Sequence, residues 1–435
     1  MENNILLARH GLQKEDGIAS PKEIATQLLN RLLAAPDTLE NDSTIISALQ
    51  AASREINSPG PGMLIDPLGG DLPLTDFDPY IRGIVRWLNE LGIYTFGSCD
   101  GHGKRPAHIF LKKFPNSRQV EIIKAAVPAC MKCRIDGKNV RLAYPLESQT
   151  LLLDIAENLY QVYKNPDYLK NLHAGNFKFQ LIELLNIPGA STDERAIRLT
   201  LKNKLNRLLD NSFIDRKGNL LGYMECGTGP TILLSAHMDT VEEIECKREI
   251  IEEGTTLRSS KGILGADDRA GIAAILSILK RVRKTNFNGT IKVAFTVEEE
   301  IGCRGSRGID MDFIEDVDAA IVIDRRSNRD IVTSNAGFAF CSDEFGKLFE
   351  QAGKLAGMED WQTTSGGISD AKVFANYGIP SVNLSAGYQN EHTDFETVDF
   401  LATFETVLLV EFLLHNDMIR KLDSCQYHHN PENIV

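Results

Sequence analysis

The sequence predicts two domains: a smaller α+β domain, followed by an α/β domain with a mixed, largely parallel sheet and helices on both faces. Two observations favour this organisation. The 435 residues exceed what a single hydrophobic core usually organises. Beyond Phe213 the chain alternates β-rich runs with helical runs, which is typical of parallel strands joined by helices. We therefore expect domains at residues 1–170 and 171–435.

The first domain is expected to be a compact α+β domain. IASPKEIATQLLNRLLAA, with Ser20 before Pro21, predicts a capped helix, and SPGPGMLIDPLGGDLPL predicts an extended connection. The later helical segments are DPYIRGIVRWLNELGI, SRQVEIIKAAV and LESQTLLLDIAENLYQVYK. IYTFGS and AHIFLKK predict strands, and CRIDGKNVRLAY predicts a hairpin that turns at Asp136 and Gly137.

The second domain begins with amphipathic helices and continues with apolar runs that predict buried strands. The helical segments are FKFQLIELLNI, TDERAIRLTLKNKLNRLL, DRAGIAAILSILKRVRK, the stretch around EFGKLFEQAGKLAG, and LATFETVLLVEFLLH. Because ligands bind at the carboxyl ends of the strands in an open α/β sheet, we expect the functional residues at that edge of the sheet.

Composition excludes several classes of protein. Apolar and charged fractions of 43% and 25% are ordinary for a globular chain, and no apolar run approaches the 18 or so residues of a membrane span. The start lacks a secretion signal, and the eight cysteines indicate reduced thiols, so we expect a cytoplasmic protein without a membrane partner. A net charge of −13 disfavours nucleic acid as a partner.

Polar residues with metal-binding chemistry follow five apolar runs. The runs end in TILLSAHMDT, KGILGADDRAG, IKVAFTVEEEIG, AAIVIDRR and PSVNLSAGYQNEHTD. The candidate residues are His237 with Asp239, Asp267, Glu299 with Glu300, Asp324 and His392. Two histidines and several carboxylates at one sheet edge could hold two divalent metal ions.

Each motif alone has a simpler interpretation. An HxD triplet occurs by chance, Asp267 or Asp268 could be a helix N-cap, and three adjacent glutamates could form a solvated turn. Asp324 could pair with Arg325 or Arg326, and a histidine in a polar loop is usually a surface residue. The ordered combination, with every motif at a strand end, favours a metal centre.

The series AHMDT, GADDRAG, FTVEEEIG, VID and NEHT resembles the co-catalytic zinc exopeptidases, whose aminopeptidase, tripeptidase and carboxypeptidase families share one α/β catalytic domain. The resemblance runs from about Phe177 to His415 and is closest to the tripeptidase-like and glutamyl-aminopeptidase-like branches. It includes LIELLNIPGASTDERAIR, DRKGNLLG and SGGISDAKVFANYGIPSVNLS. It implies a zinc exopeptidase-like fold.

The resemblance also implies roles for individual residues. It implies that His237 and Asp324 bind one metal, that Glu300 and His392 bind a second, and that Asp267 bridges the two. Asp239 would orient His237. Glu299 would be the general base, because Glu300 sits two positions before Gly302, as the family's metal-binding glutamate does. The expected cofactors are two divalent ions, zinc first, with cobalt and manganese as alternatives.

The sequence departs from the family in its accessory segments. Many relatives carry a lid or dimerisation domain before the last histidine, and others insert a domain before the bridging aspartate. Here only 68 positions separate Asp324 from His392, and 28 separate Asp239 from Asp267. Neither accessory domain fits, so the N-terminal domain is the candidate for covering the site, and homo-oligomer formation stays open.

Two features of the first domain stand apart from this resemblance. Cys99 and His102, followed by Cys130 and Cys133, have the spacing of a structural zinc site, and two buried thiols beside a Gly-rich turn are the simpler alternative. From Gly101 to Arg141 there are ten basic and two acidic residues. That run predicts either contact with an anionic partner or a solvated face.

The leading functional hypothesis is a metallopeptidase that removes a terminal residue, the N-terminal one in an aminopeptidase, from short peptides. An amidase or deacylase acting on a small amide would use the same ligands. A catalytically silent binding protein is a third possibility, although such relatives usually lose ligands and all seven expected positions are filled here.

Overall fold

The computed structural model describes residues 3–12, 41–47, 78–145 and 147–420. The chain forms two compact units, Met1–Asn176 and Phe177–Val435. The predicted helix at IASPKEIATQLLNRLLAA and the extended connection from Ser58 to Leu74 lie outside the described residues. Within the described residues, no helix is both long and apolar enough to span a bilayer.

The first unit contains one antiparallel sheet with helices. The helices are α1 (Asn3–Arg9), α2 (Arg82–Glu90), α3 (Ser117–Ala126), α4 (Leu151–Lys164) and the start of α5 (Tyr168–Leu185). The strands are β1 (Thr95–Cys99), β2 (Ala107–Leu111), β3 (Lys132–Asp136) and β4 (Asn139–Ala143), in the order β1-β2-β4-β3. The predicted hairpin is confirmed as β3 and β4.

The core of the first unit forms between α2, α4 and one face of this sheet. Trp87 of α2 is fully buried and stacks on Tyr163, while its indole N–H donates to the carbonyl oxygen of Ala8. Along β2, Ala107, Ile109 and Leu111 are buried, whereas the intervening residues are partly exposed. The basic run extends over β2, α3, β3 and β4, and its ten cationic side chains are exposed apart from Lys112.

The second unit is built on a nine-stranded mixed sheet, which confirms the predicted α/β class. Its strands are β5 (Asn211–Ile214), β6 (Leu220–Glu225), β7 (Thr231–His237), β10 (Thr290–Thr296), β11 (Ala319–Arg325), β12 (Asp330–Asn335), β13 (Phe338–Ala339), β14 (Gln362–Ser365) and β15 (Ser381–Ser385). Their order in the sheet is β13-β12-β15-β11-β7-β10-β6-β5, and β14 pairs with β12. The four central strands, β15, β11, β7 and β10, are parallel, and antiparallel pairs flank them.

Helices cover both faces of the central strands. The helices of this unit are α6 (Arg195–Leu205), α7 (Ala266–Val282), α8 (Arg304–Arg307), α9 (Met311–Ile314), α10 (Asp343–Leu355), α11 (Asp370–Asn376) and α12 (Phe400–His415). Leu233 packs in one cluster with Phe313 of α9 and Phe374 of α11. Its neighbours Ile232 and Leu234 point the other way and are equally buried, and α7 packs against β7 there.

A second, four-stranded antiparallel sheet lies in the same unit. It consists of β8 (Ile250–Glu253), β9 (Thr256–Ser259), β16 (Tyr388–Gln389) and β17 (Thr397–Asp399), in the order β16-β17-β9-β8. The loop between β16 and β17 carries His392. The small sheet therefore fixes both ends of a loop that contributes to the site described next.

Candidate metal centre

Three of the five predicted motifs, those of His237, the glutamates and Asp324, lie at the carboxyl ends of central strands. The prediction that all five lie at strand ends is wrong for Asp267, which lies at the start of a helix, and for His392, which lies in the loop between β16 and β17. His237 ends β7, and Thr296, the residue paired with it on β10, precedes the glutamate run. Asp324 lies near the end of β11, and Asp267 lies in the first turn of α7. Since β7, β10 and β11 run parallel, their ends meet at one edge of the sheet, as the sequence predicts.

Asp267 lies between the two histidines. Its Oδ1 is 3.0 Å from His237 Nε2, and its Oδ2 is 3.1 Å from His392 Nε2. The two oxygens of one carboxylate thus face two imidazoles that are far apart in the sequence. This is the arrangement expected of a ligand shared by two cations.

Two groups of candidate ligands share Asp267. In the first, Asp267, His237 and Asp324 place their ligand atoms within 4.8 Å of one another. In the second, Asp267, Glu300 and His392 do so. His237 Nε2 is 3.5 Å from Asp324 Oδ1, and His392 Nε2 is 2.9 Å from Glu300 Oε2. The structure therefore brings together all five predicted ligands.

Asp239 connects the ends of β7 and β10. Its carboxylate accepts hydrogen bonds from the Ser191 hydroxyl and from the backbone N–H groups of Glu299 and Glu300, at 2.7, 2.9 and 3.1 Å. Its carbonyl oxygen is 3.0 Å from His237 Nδ1. Burial raises the pKa of Asp239, but His237 and the other donors outweigh it and lower that pKa to about 2. Asp239 is thus placed to orient both His237 and the glutamates.

The three consecutive glutamates have separate environments. The Glu298 carboxylate accepts a 2.9 Å hydrogen bond from Lys217 and belongs to neither ligand group. Glu299 lies with Cys303 and Asp370, and its Oε1 accepts from the Cys303 thiol at 3.1 Å. Glu300 lies with Asp267 and His392. Glu300 therefore lies among the candidate ligands, whereas Glu299 lies beside them.

Negative charge exceeds positive charge in the centre. Burial, with repulsion from neighbouring carboxylates, raises the pKa of Glu299 to about 9, of Glu300 to about 7 and of Asp324 to about 6. In the described part of the chain, the cationic side chains within 4.0 Å of Asp267, Asp324 and Glu300 are His237 and His392. Divalent cations would stabilise this arrangement by lowering those pKa values.

Sequence reasoning missed several residues that hold the ligands in place. Glu396 is buried and accepts hydrogen bonds from the backbone N–H groups of Gly265 and Asp267, at 2.6 and 2.9 Å. The Tyr388 hydroxyl donates to Asp324 Oδ1 at 3.0 Å. The Asn383 side chain pairs with the backbone of Asp324 at 2.9 Å. A pattern of strand ends carries no signal for them, because their partners are distant in sequence.

Of two simpler interpretations, the pairing of Asp324 with a neighbouring arginine is wrong, and the helix cap is right for Asp268 but not for Asp267. Arg325 pairs with Asp330 and Arg326 pairs with Glu391, so neither neutralises Asp324. At the start of α7, Asp268 Oδ1 accepts the N–H of Gly271 at 2.9 Å and so caps the turn. Asp267 faces the histidines instead.

The expected structural zinc set in the first unit does not assemble. Across the sheet, Cys99 of β1 pairs with His108 of β2. His108 pairs with Arg141 of β4, and Arg141 pairs with Arg134 of β3, the residue after Cys133. Three strand spacings therefore separate Cys99 from Cys133, about 14 Å. One zinc ion holds its ligands at about 2.0–2.3 Å, so Cys130 and Cys133 do not complete a site with Cys99 and His102.

The sequence has recognisable relatives. Residues 244–409 match the profile of the M42 glutamyl aminopeptidase family. The uncharacterized protein YqjE of Bacillus subtilis is 30% identical over 174 residues, which are 38% of this chain and 42% of that protein. Peptidase T of Serratia proteamaculans is 36% identical over 91 residues, 21% of this chain and 20% of that protein. The chain thus spans less than half the length of these curated relatives.

Solved structures share the fold. The aminopeptidase PepT from Bacillus cereus superposes with a TM-score of 0.51 and 20% identity, covering 56% of this chain and 98% of that one. A tripeptidase from Staphylococcus aureus gives a TM-score of 0.50 and 18% identity, with the same coverage. At these identities the likeness concerns the fold, and it accounts for about half of this chain.

Proposed function

We propose that this chain is a metallopeptidase related to the co-catalytic zinc exopeptidases and that its second unit removes the N-terminal residue from short peptides. The family-profile match, the likeness to peptidase T and the shared fold support this proposal. The observation that carries this proposal is the position of Asp267. Its two oxygens lie 3.0 and 3.1 Å from His237 and His392, so one carboxylate serves two ligand groups. Hydrolases with two metal ions use such a shared ligand.

The residues present suit two divalent ions. One would be held by His237, Asp267 and Asp324, and the other by Asp267, Glu300 and His392. Glu300 Oε1 is buried and has no hydrogen-bond partner, which suits a carboxylate that binds a cation. Imidazole and carboxylate ligands suit zinc and also accept cobalt or manganese. When bound, such ions lower the pKa of a water molecule and polarise the scissile carbonyl group.

Glu299 is the proposed general base. Its side chain lies beside the ligands, and the Cys303 thiol occupies Oε1, so Oε2 is the oxygen available to take the proton of the attacking water. The same oxygen then gives that proton to the nitrogen of the leaving amine. The Cys303 hydrogen bond fixes the carboxylate during both transfers.

Asp239 is the proposed positioning residue. It holds the Glu299 and Glu300 N–H groups with one carboxylate, while its carbonyl oxygen faces His237 Nδ1. This contact fixes the imidazole tautomer that presents Nε2 to a metal ion. A single residue, through its side chain and its backbone carbonyl, thus sets the relation between the proposed base and two proposed ligands.

The test is digestion of a mixed peptide library by the zinc-loaded protein, followed by mass spectrometry. Glu299→Gln is the test variant, and Glu298→Gln is its matched control, because Glu298 faces Lys217 rather than the ligands. We expect stepwise loss of N-terminal residues with wild type and Glu298→Gln, and a loss of about 10²–10⁴-fold in Glu299→Gln with metal content unchanged.

Other outcomes overturn parts of the proposal. Stepwise loss from the C-terminus would replace an aminopeptidase with a carboxypeptidase. Full turnover by Glu299→Gln would remove the base assignment. No cleavage of any peptide by a fully loaded wild-type protein would overturn peptide hydrolysis and direct attention to small amide substrates.

A further inference from the structure

A separate group of potential ligands lies in the first unit, where β1 ends. Asp78, Cys99 and His102 place one donor atom each within 4.8 Å of one another. Cys99 is the last residue of β1, and a 3-10 turn, Gly101–Gly103, follows it. His102 has a φ of 53°, a left-handed conformation that turns its imidazole back toward the strand end. The chain thus adopts an unfavourable backbone conformation where it brings the imidazole to the thiol.

The distance between the thiol and the imidazole fits a shared zinc ion. Cys99 Sγ lies 3.8 Å from His102 Nε2. A tetrahedral ion with its sulfur at about 2.3 Å and its nitrogen at about 2.0–2.1 Å would separate the two donors by about 3.6 Å. The two donor atoms therefore need to approach each other by only about 0.2 Å to bind one ion.

A carboxylate orients the imidazole from its other side. Asp100 is almost fully buried, and its Oδ1 lies 3.3 Å from His102 Nδ1 and accepts the His102 backbone N–H at 2.8 Å. The backbone N–H of Asp100 donates in turn to Asp78 Oδ2 at 3.1 Å. Histidines that bind metals usually donate their second ring N–H to a carboxylate in this way.

The charges around the group also suit a cation. Arg82 is 2% exposed, and its Nε and Nη1 have no hydrogen-bond partner. Burial lowers the pKa of the Arg82 guanidinium to about 10, and the negative charges of Asp78 and Asp100 offset part of that decrease. Two carboxylates and a Cys99 thiolate would carry three negative charges against one guanidinium. A single divalent ion brings that sum to zero.

We infer that Asp78, Cys99 and His102 bind one zinc ion, with Asp100 as the positioning residue for His102. The mixture of thiolate, imidazole and carboxylate selects zinc over magnesium or calcium. The His102 side chain is 70% exposed, so the fourth coordination position is open to solvent or to an added ligand. The site differs from the expected four-ligand set in using Asp78 in place of Cys130 and Cys133.

Cobalt substitution in the full-length protein tests this inference directly. Cobalt bound to a thiolate gives a sulfur-to-metal charge-transfer band, whereas the proposed ligands of the second unit contain only nitrogen and oxygen. We expect the band in wild type, its loss in Cys99→Ser and a strong reduction in His102→Gln. Zinc-loaded Cys99→Ser should contain one ion per chain fewer than wild type, with peptide hydrolysis retained.

Control variants keep the test decisive. Cys130→Ser should retain the band, because Cys130 is exposed and lies outside the group. Cys303→Ser should also retain it, since Cys303 lies beside Glu299. Transfer of the loss to either control would overturn the assignment, as would a wild-type protein without the band at saturating cobalt.

Alkylation of Cys99 gives an independent measurement if Cys99→Ser does not fold. Iodoacetamide labelling of wild type, mapped by mass spectrometry, should be slowed at Cys99 by zinc and restored by a chelator. Labelling that is indifferent to zinc would overturn the inference and leave Cys99 as a free thiol beside a histidine.

Discussion

The proposed metal sites of the two units use the same local arrangement of a histidine and an aspartate in very different surroundings. In the second unit, Asp239 follows His237 by two residues and lies at its Nδ1, and in the first unit Asp100 precedes His102 by two residues and lies at its Nδ1. His237 is 2% exposed and His102 is 70% exposed. The proposed ligands of the second unit come from strands and loops in distant parts of the chain, whereas most of those of the first unit come from one turn.

This difference teaches where the robustness of a site originates. Around His237, further side chains such as Glu396 and Tyr388 hold the ligands, so each ligand is constrained from several directions. Around His102, solvent can replace a lost partner. We therefore expect substitutions in the second unit to have larger effects than equivalent substitutions in the first.

The largest effect is expected for Asp267→Asn. Because both oxygens of Asp267 are used, the variant should lose affinity for both ions, by more than the 10–100-fold that outer partners cost. Metal analysis after gel filtration, with peptide hydrolysis in parallel, measures this. Asp394→Asn, on the exposed part of the same loop as His392, is the control. Full metal occupancy in Asp267→Asn would refute bridging.

A smaller effect is expected for Asp239→Asn. The variant keeps one acceptor oxygen but loses the charge that holds two backbone N–H groups and lies 3.4 Å from His237 Nδ1. We expect a 10–100-fold loss of metal affinity, measured by titration against a competing chelator. Ser191→Ala removes a single donor to Asp239 and should cost much less. Equal losses in the two variants would contradict the central position of Asp239.

A still smaller effect is expected for Asp100→Asn in the first unit. Water can replace the lost partner of the exposed His102, so zinc affinity at Cys99 should fall by about 10-fold or less. The cobalt–thiolate band, titrated with cobalt, gives that affinity. A larger loss than in Asp239→Asn would reverse the proposed relation between burial and robustness.

The smallest effect concerns an ion pair outside both groups. His173 and Arg118, opposed by burial, lower the pKa of Glu121 to about 2, and its carboxylate lies 3.0 Å from His173 Nε2. A lowered pKa stabilises the fold above the unfolded pKa of about 4.3, and this stability is lost as the pH falls toward 2. Glu121→Gln should cost below about 1 kcal/mol at pH 6 and nothing near pH 2.

Hydrogen exchange of α3, compared between Glu121→Gln and wild type at both pH values, measures this difference. A penalty that persists unchanged near pH 2 would show that packing rather than charge stabilises this contact.

The sequence predicts the proposed ligands of the second unit because each one follows an apolar run. That pattern locates Asp267, Glu300 and His392 without knowledge of their partners. It does not reveal Glu396 or Asn383, whose roles depend on backbone groups more than 50 residues away. The same limit explains the error over Cys130 and Cys133. Cysteine spacing records distance along the chain, and the strand order places β2 and β4 between the two halves.

The long separation of Asp267 and His392 along the sequence also has a consequence for how the protein folds and binds metal. Their contact joins residues 125 positions apart, and the loop that carries His392 is fixed by pairing of β17 with β9. Contacts of such long range form late in folding, because the intervening chain must first be ordered. A ribosome-bound chain that ends before β16 lacks His392 and therefore cannot complete one of the proposed ligand groups. Acquisition of the second metal ion would therefore report that this unit has been synthesised through β17 and that the loop carrying His392 has folded.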